Sequence, residues 1–408
     1  MEFLKDLIVN LGTWLQDFVA STGLPQVWVR VIMMGIGGFA LAFVPLVAVI
    51  FLIWAERKIV ARMQDRIGPN NSGPYPGPWA IFQTFADAIK VLTKEDVIPA
   101  AADRWVFNVA PVVILTVAVL VWAVIPLGKD VFGADLNIGI FYILSLGSGG
   151  MVALLMAGWG SNNKYALLGA LRAIAQLISY EIPQVLSVLV VVMVAGSFSM
   201  RSIVEAQTVP FLIAMPVTAL LFFVASLAEV GRLPFDLVEA ESEIVAGYFV
   251  EYSGIKFGQF CLSEFMNTLA LSVITATLFL GGWRGPWVDD VPILGSLWLL
   301  LKACLVFFVF MWLRGTMPRL RIDQMLGFNW KFLVPVALVN ICVVALVGKA
   351  VPLDADPWIR AGAFLAANVL LVLAVLGVLA AAGRQTRRRK EAWQAAQLEQ
   401  LEQEASPA

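Results

Sequence analysis

Residues 31–70 read VIMMGIGGFALAFVPLVAVIFLIWAERKIVARMQDRIGPN. No charged residue occurs from Val31 to Ala55, and then Glu56, Arg57, Lys58, Arg62, Asp65 and Arg66 follow in close order. A run of ~20 apolar residues crosses the hydrocarbon layer as a helix. An abrupt run of charges marks where such a helix leaves it. The stretch therefore predicts a membrane helix whose end carries charges of both signs.

Working outward, the same pattern recurs. The chain has 408 residues, 60% hydrophobic and 14% charged, with a mean hydropathy of +0.84. A soluble domain is roughly a quarter charged, so lipid is the solvent here. Nine apolar stretches start near Val31, Val106, Ile138, Ala166, Pro210, Phe257, Leu297, Phe332 and Ala361. The predicted fold is an all-α polytopic membrane protein of about nine transmembrane helices. Amphipathic surface helices and a charged cytoplasmic loop between the fifth and sixth spans complete it. The expected division is an amphipathic N-terminal segment (1–30), a membrane domain (31–383) and a polar cytoplasmic tail (384–408). In the first segment Leu4, Leu7, Ile8, Leu11, Leu15 and Phe18 recur at helical spacing, which suits a membrane surface. The tail carries Arg387, Arg388, Arg389 and Lys390 and is expected to bind anionic lipid or a neighbouring protein of the same complex.

Lys and Arg alternate in density from loop to loop. Of 28 in the chain, 20 fall on one side of the predicted membrane, the side of Arg57–Arg104, Lys164, Arg232, Arg314–Lys331 and the tail. Basic loops stay in the cytoplasm, so the N-terminus is expected outside and the C-terminus inside. Basic residues are not interleaved with aromatics on one face, which excludes a nucleic-acid partner.

There is no His, and Cys261, Cys304 and Cys342 lie in separate apolar stretches without ligand spacing. Bis-His haem and His-ligated copper are excluded. No cofactor bound covalently or by metal ligands is expected, and if the chain takes part in electron chemistry the electrons come from a partner.

Four polar blocks interrupt the apolar background. In the first, Lys58, Arg62 and Arg66 form a basic stripe. A linker rich in Pro and Gly follows it. Then comes an amphipathic helix with Phe82, Phe85, Ile89 and Leu92 on one face and Gln83, Asp87, Lys90 and Lys94 on the other. In the second, Arg172, Gln176 and Tyr180 lie one turn apart beside Glu181, and Pro183 deprives the Ser179 carbonyl of its helical donor. Polar groups at that depth must line protein or water. The third runs from Glu229 to Glu251, with Asp236, Glu239, Glu241 and Glu243 between them and one base, Arg232. Asp236, Glu239 and Glu243 share a helical face, and carboxylates so close cannot all ionise freely, which suits a proton relay. Glu264 carries the series into the sixth span. The fourth groups Arg314, Arg319 and Arg321 with Asp323. Plainer readings compete at each block: headgroup contact, structural pairing, a solvated acidic loop, topological signal. Lys302, inside the seventh span, reads as a snorkelling side chain.

The phrases ERKIVARMQDRIGPN, FADAIKVLTKED, SNNKYALLGALRAIAQLISYE, EVGRLPFDLVEAESEIVAGYFVEYSG and RGTMPRLRIDQML resemble, in order, the H-type membrane subunits of bacterial NADH-quinone oxidoreductase (respiratory complex I), the NADH dehydrogenase family. The family core has eight spans, and some bacterial members add a ninth. The resemblance implies a quinone chamber roofed by the peripheral arm, with quinone as substrate. It places Arg57, Asp87, Lys90, Arg232, Arg314 and Arg319 at the chamber or its entrance. Glu56, Glu181, Glu229, Asp236, Glu239, Glu241, Glu243 and Glu264 would form an acidic path coupling quinone reduction to proton translocation. Implied partners are the peripheral-arm subunits that hold the quinone site and the terminal iron–sulfur cluster, the small membrane subunits, the antiporter-like subunits and lipids. Arg57, Asp87, Lys90, Arg314 and Arg319 are expected to converge on one charged throat. The membrane component of a proton-pumping hydrogenase or ferredoxin-dependent complex, and a stand-alone transporter, remain the competing classes. The transporter class would require paired broken helices in two symmetric halves.

Overall fold

The computed structural model describes residues 7–21, 23, 25–70, 72, 80–129, 131–237, 245–352 and 356–405, and side chains within residues 10–385. Glu239, Glu241 and Glu243 lie outside the described residues.

Among the described residues, eight helices are long and apolar enough to cross a membrane: Gln26–Met63, Arg104–Ala123, Gly139–Gly160, Lys164–Ala195, Gly254–Phe279, Ile293–Thr316, Ile322–Ala350 and Pro357–Gln385. These are the first to fourth and the sixth to ninth of the expected stretches. The fifth arrives in two pieces, Phe211–Ala214 and Pro216–Val230. Pro216 has no N–H, and Met215 before it leaves the helical conformation, φ −134° and ψ 64°, as proline disfavours the α region for the residue it follows. The chain is thus a multi-pass membrane protein, and its fifth crossing is discontinuous. Exposed Trp28, Trp287 and Trp358 mark the face where the first span begins, and exposed Trp105, Trp159, Trp312 and Trp330 mark the opposite face. Such belts sit at the two headgroup levels. An amphipathic helix, Leu7–Ser21, precedes the first span and exposes Leu11, Trp14 and Phe18.

The break in the fifth span is closed by amides from later spans. The Val217 N–H would reach Ile213 in an intact helix; it donates instead to Asn368 Oδ1 of the ninth span, 3.2 Å away. Asn340 of the eighth span donates to Thr218 Oγ1 at 2.8 Å. Asn368→Leu is expected to destabilise the protein by roughly 0.6–1.7 kcal/mol, the range for interhelical hydrogen bonds in membranes. Faster hydrogen exchange at the peptide holding Val217 would register it; unchanged exchange would refute it.

The sixth span is central. It packs against the second, seventh, fifth and first spans and the interfacial helix Gln83–Thr93. Its hydroxyls make this burial tolerable: Ser263, Thr268 and Ser272 donate to carbonyls of their own helix at 2.7, 2.8 and 2.7 Å. They then need no other partner and leave room for close approach. The fourth span is tied to the eighth at its proline. The Ser179 carbonyl accepts from Asn329 Nδ2, and Tyr180 Oη donates to the Met325 carbonyl at 3.1 Å. Asn329 opens a single turn of wider π-helix, Asn329–Leu333.

Candidate functional site

The core of the site is a buried charge cluster. Glu56 sits at the end of the first apolar run, on the inward face of a helix that continues to Met63. Gly231 ends the fifth span in the left-handed conformation, φ +72°, and this turn sends Arg232 inward. Arg232 Nη1 donates to Glu56 Oε1 at 2.6 Å, and Arg314, from the end of the seventh span, donates to the same oxygen. Arg232 Nε lies 3.3 Å from Glu264 of the sixth span. Its guanidinium also rests over the Phe265 ring, 4.5 Å from the centroid. Two guanidiniums and two carboxylates therefore balance at a point where four segments of the chain meet. Pairing of this kind is what lets charges persist in a low-dielectric interior.

Beside the cluster lies a cavity of about 130 Å³ lined by Gln176, Glu229, Asp236, Glu264 and Asn267 among others. A second cavity of about 50 Å³ is lined by Glu181, Gln184 and again Glu229. Gln184 donates to Glu229 Oε2. Gln176 Nε2 donates to the carbonyls of Ala228 at 2.7 Å and Phe235 at 2.8 Å, which fixes the turn between the fifth span and the acidic loop. Asp236 is held from the other side by Arg319 at 2.9 Å. Four acids from three separate segments (Glu181, Glu229 with Asp236, and Glu264) thus line two adjoining cavities, and Arg232 links Glu264 to Glu56.

A separate ionic group occupies the face of the interfacial helix. Arg57, one residue beyond Glu56, turns the other way and donates to Asp87. Lys90 lies 3.4 Å from Asp87, and Gln83 Nε2 donates to it at 3.3 Å. Burial opposes ionisation of Asp87. The hydrogen bond and charge of Arg57, with Lys90 beyond, outweigh that and hold the carboxyl below its ordinary value. Lys58 Nζ donates to the Pro69 carbonyl and folds the start of the linker back onto the helix.

The six expected chamber residues therefore fall into three groups: Arg57, Asp87 and Lys90 together, Arg232 and Arg314 on Glu56, and Arg319 on Asp236. They line neither of the two acid-lined cavities. Lys302 donates to the carbonyls of Gly282 at 2.9 Å and Arg284 at 2.7 Å, so it fastens a loop rather than reaching for headgroups. Sequence reasoning passed over Gln184 and Asn267. A Gln and an Asn in otherwise apolar spans were the available signal.

Among the described residues no group of three or more His, Cys, Asp or Glu is placed to hold a metal ion. The arrangement supplies carboxylates, amides and space, the requirements for holding and passing protons.

The sequence profile of the NADH dehydrogenase family matches residues 37–345. The H-type subunit of NADH-quinone oxidoreductase from Dehalococcoides mccartyi (strain CBDB1) is 49% identical over 328 residues, 80% of this chain and 90% of the relative. Its counterpart from Rhodospirillum centenum is 45% identical over 304 residues, 74% of this chain and 89% of the relative. That of Thermomicrobium roseum is 44% identical over 340 residues, 78% and 97% of the two chains. The matched region holds every group of the site, from Glu56 to Arg319, and the chain belongs to the NADH dehydrogenase family, the family of the H-type subunits of NADH-quinone oxidoreductase.

Proposed function

We propose that this chain is the membrane subunit that closes the inner end of a quinone chamber in an NADH-quinone oxidoreductase, and that its buried carboxylates couple quinone reduction to proton translocation. The observation that supports this best is the contact of the Glu56–Arg232–Arg314–Glu264 cluster with the acid-lined cavity. Quinone reduction takes up two electrons and two protons. A change of charge at the chamber shifts the balance on Arg232, and Glu264, Asp236, Glu229 and Glu181 are the groups that can answer by exchanging protons. Arg57, Asp87 and Lys90 form the exposed rim where a peripheral subunit docks and a quinone head enters. The electrons arrive from that peripheral arm. The face bearing Arg57 and Arg314 is cytoplasmic and the N-terminus lies outside. The small and antiporter-like membrane subunits adjoin this chain in the bilayer and receive what the acid path transmits. Glu239, Glu241 and Glu243 belong to the same proposed acid path.

Glu229→Gln tests the reading, because it keeps shape and removes one titratable group. The expected result is an assembled complex with quinone-driven proton pumping lowered at least roughly tenfold, a barrier increase of about 1.4 kcal/mol. Parental pumping and turnover would reject the relay.

A further inference from the structure

The third span contains Gly147-Ser148-Gly149-Gly150 at mid-helix. The two acid-lined cavities share Ile143, Gly147, Leu177, Glu229 and Leu271 in their walls. Three of these are large and apolar, one is a carboxylate, and Gly147 has no side chain. A Cβ placed on Gly147 would have a single neighbour within 4 Å, Glu229 Oε1 at 3.7 Å. The glycine therefore leaves the space beside the carboxylate empty of side chain, within van der Waals reach of it.

A second observation points to what fills that space. Gln176 is 1% exposed, lines the larger cavity, and its Oε1 accepts no hydrogen bond from the described protein groups. A buried amide oxygen calls for a donor. The cavity, about 130 Å³, is well above the ~10–15 Å³ that one water requires.

We propose that Gly147 is the aperture through which protons pass, by way of water, between the Asp236–Glu264 cavity and the Glu181–Gln184 cavity. The inference rests on the carboxylate relay proposed above and adds the residue that keeps its passage open. Each transfer breaks one O–H bond and forms another along water and carboxylate, so no oxidant or reductant is consumed. Gly147 is a positioning residue: it touches no substrate and acts by leaving Glu229 accessible from both sides.

The test is a size series, Gly147→Ala, Gly147→Val and Gly147→Leu, in the assembled complex. Val152→Leu, on the exposed face of the same span, is the control. A methyl at Gly147 meets only an ordinary van der Waals contact, so alanine leaves the fold undisturbed. Pumping is expected to fall with side-chain size, reaching roughly tenfold or more with leucine, the effect of about 1.4 kcal/mol on a barrier. The solvent deuterium isotope effect on turnover should rise in parallel, which a packing defect alone would not produce. Val152→Leu should change neither. If Gly147→Leu pumps normally while Glu229→Gln is defective, the aperture is refuted and the relay survives. If both pump normally, the relay falls and the aperture with it. Should the leucine variant fail to assemble, parental pumping and an unchanged isotope effect in the alanine and valine variants overturn the proposal.

Discussion

Arg232→Met is expected to reduce the yield of intact, active complex to a small fraction. The Arg232 and Glu56 side chains are 4% and 6% exposed, and removing one member of a buried ion pair costs about 3–5 kcal/mol because the other charge is left behind. The loss should lie near the lower end, since Arg314 remains on Glu56. Combining Arg232→Met with Glu56→Gln removes the stranded carboxylate. Arg314, a third exposed, can then turn to solvent. The double variant should therefore recover part of the yield. Size-exclusion profiles of the solubilised complex and residual quinone reductase activity measure both effects. A single variant as stable as the parent, or a double variant no better than the single, would show that the cluster does not hold these spans together.

Gln176→Leu should be the next most damaging change. Its amide supplies donors to two carbonyls, Ala228 and Phe235, and a buried acceptor stripped of its donor costs about 1–3 kcal/mol. The turn bearing Arg232 would loosen, and with it the positions of Glu229 and Asp236. Expected results are a complex that inactivates faster on heating and faster hydrogen exchange across residues 228–237, with reduced turnover. Gln176→Glu should not rescue, because a carboxylate offers the two carbonyls an acceptor where they need a donor. Parental exchange in Gln176→Leu would contradict the assigned tether.

The sequence made the spans legible because burial in lipid leaves a one-dimensional signal, ~20 apolar residues between charges. The fifth crossing shows the limit: Pro210–Val230 reads as one apolar run. The break at Met215 depends on Asn368 waiting in the ninth span to accept from the backbone it frees, with Asn340 of the eighth holding the Thr218 hydroxyl beside it. The charged site was legible as residue types and not as pairs. Glu56 finds Arg232 and Arg314 across 176 and 258 positions, and only the packing of the spans against one another decides that. The freed Ser179 carbonyl was readable from Pro183, whereas its donor, Asn329, was not. Adjacent residues were the most misleading: Glu56 and Arg57 look like one charged patch, yet a helix points neighbours about 100° apart, one into the interior and one to the rim. Arg57, Asp87, Lys90, Arg314 and Arg319, expected at one throat, each pair locally, within three ion groups.

The last helix runs without interruption from Pro357 to Ala405, 49 residues, about 74 Å at 1.5 Å per residue. Asn368 fastens it to the fifth span near one end. Residue 405 lies ~55 Å beyond that point, so a tilt of ~10° about Asn368 would sweep the far end through ~10 Å. Held against the eighth span and fastened to the broken one, the helix has the proportions of a lever: a small rotation within the bilayer would become a large excursion outside it. Whatever grips its outer arm also constrains the angle at which the fifth span sits.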